Sequence, residues 1–171
     1  MVATAQVFGS PSVSSAERLL AEKGLDGIWP IPLEKLAKAI GYDTLFFDPV
    51  ASSNPNLVDV SGAVDHVARK IYINDSESLG RKRFTLAHEI AHACLHAGDG
   101  HVIDYRKNIL TPTDKKEVEA NRFAADLLMP ALMFAKMYFG FYGSVPNLAK
   151  YFTVSEDAAR VRIKQLGLEN V

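Results

Sequence analysis

Residues 83–95 read Arg83-Phe84-Thr85-Leu86-Ala87-His88-Glu89-Ile90-Ala91-His92-Ala93-Cys94-Leu95. Phe84, Ala87, Ala91 and Leu95 recur at helical spacing, with Ile90 and Cys94 beside them. Asp75, Ser76 or Ser78 can cap the start and Gly98 can stop it, which predicts a helix from about Leu79 to Ala97. On such a helix His88 and His92 stand one above the other on a single face. Their ring nitrogens can take two corners of a tetrahedral zinc. Glu89 projects near the same face, where its carboxylate can take a proton from a metal-activated water. The pattern H-E-x-x-H therefore reads as a metallopeptidase centre rather than as two satisfied core histidines. Cys94 falls on a different side of the helix and reads as core.

A catalytic zinc uses three protein ligands and keeps a fourth position for water, so a third ligand should come from a separate element. Asp114 with Glu117 three residues later resembles an N-cap with a capping box. Val118, Phe123, Ala124, Leu127 and Leu128 then form an apolar stripe, and Pro130 ends it. This predicts a second helix from about Lys115 to Met129. Glu117 sits in its first turn, where the helix dipole favours a carboxylate, and that role is sufficient for it. Glu119 lacks that reason and lies deeper, beside apolar neighbours. His96, His101, Asp99 and Asp104 are the other candidates. His96 shares the face of His88 and His92, but one straight helix does not easily wrap three consecutive turns around one ion.

The run Arg83 to His92, ending in Leu95-His96, resembles the signature of the ImmA/IrrE family of small metallopeptidases. Glu119-Ala120-Asn121, Phe123-Ala124-Ala125 and Leu127-Leu128-Met129-Pro130 resemble its second signature. Ser61-Gly62 and Ile71-x-Ile73-Asn74 match its run-up to the metal helix, and Ala91 stands where many relatives have Gly. The resemblance covers roughly Pro32 to Pro130, more weakly onward to Leu168. It implies that Glu119 is the third zinc ligand. It also implies an α+β, zincin-like fold with a small, about three-stranded sheet and an active-site helix. The implied activity is that of a bacterial or phage intracellular protease that cleaves a regulator, often a helix-turn-helix repressor. In that reading His88, His92 and Glu119 hold Zn²⁺, and Glu89 is the general base that later hands its proton to the departing amine. Tyr105, His66, His101 and Arg106 are candidate oxyanion donors. Asp126 is a candidate acceptor behind a metal-bound imidazole, although it reads more readily as a solvated or locally paired carboxylate.

Composition fits an intracellular enzyme. The 171 residues are 48% hydrophobic and 23% charged, enough for one core. A single cysteine excludes an internal disulfide and suits a reducing, cytoplasmic setting. Residues 1–12 carry no signal-peptide pattern. The most apolar late stretch, Leu127 to Phe141, is broken by Pro130 and Lys136 and is too short to span a bilayer. The formal net charge of −1 leaves no global footprint for nucleic acid. The only tight basic run is Arg81-Lys82-Arg83, which could meet an acidic substrate or phosphate but reads first as a solvated helix start, either exposed or paired with nearby acids such as Asp75 and Glu77.

Elsewhere, Ser14 or Ser15 can cap a helix to about Lys23, and Pro32 to about Ile40 forms another. Asp43 to Phe47 reads as a strand, and strands at about Leu57–Val64 and Arg69–Asn74 form a hairpin around Asp65-His66. An exposed edge of that sheet could accept a peptide as an added strand.

Residues 144–171 read as a small helical module on a 1–143 catalytic domain. Leu148, Ala149 and Phe152 make one apolar face, Thr153-Val154 turn, and Ser155 caps a second helix, in the manner of a helix-turn-helix. Its second helix offers Arg160, Arg162 and Lys164, yet four basic against three acidic residues leave a net of +1 over 144–171. That balance is thin for phosphate contact and favours packing or partner docking. Two readings of other classes remain in view. One is a metal-binding regulator that acts without proteolysis, such as a toxin–antitoxin or stress-response partner. The other is a direct DNA-binding protein.

Overall fold

The computed structural model describes residues 13–51, 60–97 and 114–170. Its elements run α1 (Ser15–Glu22), α2 (Leu33–Ala39), β1 (Asp43–Phe47), β2 (Gly62–Asp65), β3 (Lys70–Asn74), α3 (Leu79–Leu95), α4 (Lys115–Leu128), α5 (Ala131–Gly140), α6 (Val145–Phe152) and α7 (Glu156–Gln165), with a 3-10 turn at Leu168–Asn170. This is an α+β architecture around a small mixed sheet, as expected.

The sheet order is β1-β3-β2. The predicted hairpin is present: β2 pairs antiparallel with β3, Gly62 opposite Ile73 and Asp65 opposite Lys70. The Asp65 carboxylate accepts from the Val67 and Ala68 N–H groups and so holds the turn. On the other side β1 runs parallel to β3, Asp43 opposite Lys70 and Phe47 opposite Asn74. Ile71 and Ile73 of the central strand are fully buried.

Helix α3 lies against β2 and β3. Its approach to β2 needs Gly62, because a Cβ there would overlap the Thr85 methyl and stand 3.0 Å from the Tyr72 carbonyl oxygen. Leu86, Ala87, Ile90 and Ala91 are buried on α3, so the helix carries polar site residues inside an apolar sleeve. Removing most of the Ile90 side chain would cost about 2–5 kcal/mol. Helix α4 packs closely on α3 and places Ala120, Phe123, Ala124, Leu127 and Leu128 in the same core.

Local signals set the helix starts. Ser14 and Glu17 form a reciprocal capping box on α1, Asp114 accepts from the Lys116 N–H, and Ser155 accepts from the Ala158 N–H. Ser78 takes the cap position of α3 in an extended conformation. Helix α3 ends at Leu95, before the expected Gly98, which lies outside the described residues.

The C-terminal pair α6–α7 adopts the anticipated helix-turn-helix form, with Thr153 left-handed at φ 54°, ψ 53°. It is fastened to the rest of the chain. Phe152 stacks on Phe134 at 5.2 Å and meets Trp29 edge-on. Gly80 sits so close to the turn that a Cβ would be 2.9 Å from the Ser155 nitrogen. Arg162, expected among the outward basic residues, is instead buried: it donates through Nε to the Met129 carbonyl at 2.9 Å and through Nη2 to Asp126 at 2.6 Å. Cys94, expected in the core, belongs to an exposed position.

Candidate metal centre

Helix α3 stacks His88, His92 and His96 on one face, with neighbouring ring centroids 4.7 and 5.0 Å apart. His88 is fully buried, and Glu89 and His92 are nearly so. The His88 and His92 Nε2 atoms face each other at 3.1 Å. A carboxylate from α4 closes the group: Glu117 stands 3.4 Å from His88 Nε2 and 3.5 Å from His92 Nε2. His88, His92 and Glu117 are the one set among the described residues whose ligand atoms converge as a metal site requires.

Glu119, expected as the third ligand, is not in that set. Its side chain is 63% exposed and its carboxylate lies 3.3 Å from His96 Nε2. The cause is angular. At about 100° per residue, Glu119 points roughly 200° away from Glu117 around α4. Glu117 and Asn121 are one turn apart on the side of α4 that meets α3, in line with buried Ala124 and Leu128. That alignment was the signal in the sequence, and the first-turn position of Glu117, where the helix dipole favours a carboxylate, concealed it. The other expected ligands Asp99, His101 and Asp104, like the oxyanion candidates Tyr105 and Arg106, lie outside the described residues. His66 is bonded to the Tyr42 hydroxyl at 2.9 Å.

Asn121 fills the role foreseen for Asp126. Its Oδ1 lies 2.8 Å from His88 Nδ1, whereas Asp126 is committed to Arg162. An amide oxygen only accepts, so with Asn121 in this orientation His88 carries its proton on Nδ1 and turns an Nε2 lone pair toward His92 and Glu117. At the other end of the row, His96 Nδ1 is 2.9 Å from His92 Nδ1, and the acceptor-only Glu119 carboxylate faces His96 Nε2. With His96 Nε2–H donating to Glu119 and His92 Nδ1–H donating to His96, the His92 Nε2 is a second lone pair facing that of His88 at 3.1 Å beside the Glu117 carboxylate, a crowding that a cation would relieve.

The basic start of α3, read first as a solvated run with exposure or pairing left open, is paired locally. Arg81 pairs with Glu77 and Lys82 with Asp75, and Arg83 donates to the Ile31 carbonyl. Burial pushes the Arg83 guanidinium below its ordinary value. A groove of about 1720 Å³ borders α4 and α7 and reaches Glu119 and Asn121, but its described lining does not include His88, His92 or Glu117. The candidate metal centre therefore sits beside this groove and not at its floor.

The family model of the IrrE N-terminal-like domain, peptidase M78, matches residues 44–164. The chain belongs to that ImmA/IrrE family. The matched span contains α3, α4 and both C-terminal helices, so the converging residues lie inside the family domain. No curated protein sequence matches the chain. Among solved structures, a Mycobacterium tuberculosis transcriptional regulator superposes with a TM-score of 0.64 at 17% identity, over 87% of this chain and 45% of that one. At that identity the likeness concerns the fold. This M78-family chain spans less than half the length of that regulator. Among the described residues no single helix is long and apolar enough to cross a membrane.

Proposed function

We propose that this M78-family chain is a zinc metallo-endopeptidase in which His88, His92 and Glu117 hold the ion and Glu89 is the general base. The observation that carries the reading is the convergence of three acceptors, two imidazole Nε2 atoms and the Glu117 carboxylate, within 3.1 to 3.5 Å of one another in the interior of the α3–α4 pair. A two-imidazole, one-carboxylate set suits zinc and leaves a coordination position for chemistry. When bound, the metal supplies a Lewis acid that lowers the pKa of water and polarises a carbonyl.

The chain's own residues do the rest. Glu89, buried to 2% exposure one residue past His88, takes the proton of the attacking water and delivers it to the leaving amine nitrogen. Asn121 orients the His88 ring through Nδ1. The apolar sleeve of Leu86, Ala87, Ile90 and Ala91 keeps α3 rigid and excludes water from behind the site. An extended peptide can lie along an edge of the sheet in front of α3, through main-chain hydrogen bonds.

The substrate in this reading is a protein regulator in the cytoplasm, a helix-turn-helix repressor as the family resemblance implies. Direct DNA contact fits less well. Arg162 is locked inside, and Arg160 is paired with Glu156 at 3.0 Å. Co-expression with candidate helix-turn-helix repressors, using wild type and Glu89→Gln, tests the proposal. Cleavage by wild type and none by a Glu89→Gln protein that retains zinc is the expected result. Full biological effect from Glu89→Gln would transfer the reading to a regulator that works by binding alone.

A further inference from the structure

We infer that the outer face of α5 and the α5–α6 turn form a docking surface for an anionic membrane, on which the chain rests without crossing it. Of α5 only Phe134 is buried, where it stacks on Phe152. At about 100° per residue, Leu132, Lys136 and Phe139 fall together on the side opposite Phe134. Leu132 is 62% exposed and Phe139 46%. The turn continues that face. Tyr142 is 98% exposed at φ 51°. Its place is fixed by the Tyr142 N–H donating to the Phe139 carbonyl at 3.1 Å and the Gly143 N–H donating to the Tyr138 carbonyl at 2.9 Å. Tyr151 of α6 joins through Phe141, whose ring it meets edge-on at 5.8 Å.

Charge decides the occupant. From residue 127 to residue 155 the sequence holds no acid, and its only bases are Lys136 and Lys150, both exposed. Lys136 stands within the α5 face, and Lys150 precedes Tyr151 on α6. A second copy laid on this face would bring lysine to lysine with no carboxylate from either stretch between them. A nucleic-acid strand is tracked by a basic groove, whereas these aromatics stand on a helix face and at the apex of a turn. A bilayer surface needs neither a complementary shape nor a pocket. Leucine and phenylalanine enter the boundary between headgroups and acyl chains, and tyrosine sets its ring there with its hydroxyl in the wet layer. Lysine lays its stem along the apolar surface and reaches the lipid phosphates with its ammonium. The stretch brings no carboxylate toward those phosphates. Among the described residues no single helix is long and apolar enough to go further than this surface layer.

The test needs neither metal nor turnover, so its outcome is independent of the proposed peptidase. The full chain is sedimented with vesicles of phosphatidylcholine, alone or mixed three to one with phosphatidylglycerol. At about 5-fold for each lysine near the surface, partitioning should be about 30-fold stronger onto the mixed vesicles. Raising salt from about 0.1 M to about 1 M should remove most of that preference. Lys136→Gln with Lys150→Gln should lower binding on mixed vesicles to the level on neutral ones. Phe139→Ser with Tyr142→Ser should abolish binding to both, with helix content by circular dichroism at the wild-type level because both side chains are exposed. Tyr142→Trp should shift its emission to the blue on mixed vesicles, whereas Val161→Trp, at a position 53% exposed on α7, should not. Wild type left in the supernatant of the mixed vesicles would overturn the inference. So would unaltered sedimentation of the Phe139→Ser, Tyr142→Ser protein, or a blue shift confined to Val161→Trp. Binding of a labelled oligodeoxynucleotide, or dimerisation, that this double variant loses and that comes without vesicle binding would overturn it too, and would assign the face to that partner.

Discussion

Replacing Arg162 by Met should unfasten the C-terminal helical pair without touching the metal centre. The methionine keeps an apolar stem in a site only 4% exposed, but removes the guanidinium. Two partners lose their donor: the Asp126 carboxylate, now 2.6 Å from Nη2, and the Met129 carbonyl, now 2.9 Å from Nε. Breaking one side of a buried pair costs about 3–5 kcal/mol. The Asp126 side chain is 18% exposed, so water reaches it, and the lower end, about 3 kcal/mol, applies. A chain of 171 residues shifts its midpoint by about 2–4 °C per kcal/mol, which gives a fall of about 6–12 °C. Thermal and urea unfolding, followed by far-ultraviolet circular dichroism, measure it. The double variant Arg162→Met with Asp126→Leu should regain much of the loss, because no charge is then stranded. A single-variant loss below about 1 kcal/mol would refute the reasoning and return Arg162 to the class of surface cations.

Three further outcomes follow from the same coordinates. Glu117→Gln should weaken zinc by more than about 100-fold, the upper range for residues that only support a ligand, whereas Glu119→Gln, which keeps an oxygen for His96, should lose far less; equilibrium dialysis with metal analysis separates them, and equal losses would contradict the assignment. Zinc at about 100 times its dissociation constant should stabilise the wild type by about 2.7 kcal/mol, seen as a chelator-reversible rise in melting temperature that Glu117→Gln lacks. Cys94 lies at an exposed position, but neighbouring atoms desolvate its thiol and raise it from 9.0 to about 11, so its alkylation near neutral pH should be slower in the folded chain than in denaturant. The sign of the linkage agrees: the folded thiol binds its proton more tightly, so this contribution to stability is intact below pH 9.0 and is lost as pH rises toward about 11. Equal alkylation rates in the two states would contradict it.

The elements were legible where one segment carries its own signal. The Ser14–Glu17 box, the β1 strand, the hairpin around Asp65, the α3 periodicity and the Thr153 turn all depend on neighbours within a few residues. What required the structure was which side of one helix meets another. Glu117 looked fully explained by the helix dipole, yet its place one turn before Asn121 puts it against the imidazoles. Asp126, read first as a solvated or locally paired carboxylate, is paired with Arg162, and an amide, Asn121, stands behind His88. Arg162 resembled a surface cation in a basic helix, and nothing within α7 announces that its partners are Asp126 and the Met129 carbonyl. Cys94 was read as core because it falls on a different side of α3 from His92, and that side of the helix is exposed at its end.

The group behind His88 is an amide. A carboxylate in that position would press electron density through the ring and tighten the nitrogen's hold on an ion. Asn121 presses less. In the proposed site a bound zinc would meet a single negative charge from His88, His92 and Glu117, and the neutral backing would leave it electron-poor. A looser grip on the ion and a harder pull on a scissile carbonyl would then be two faces of one uncharged side chain.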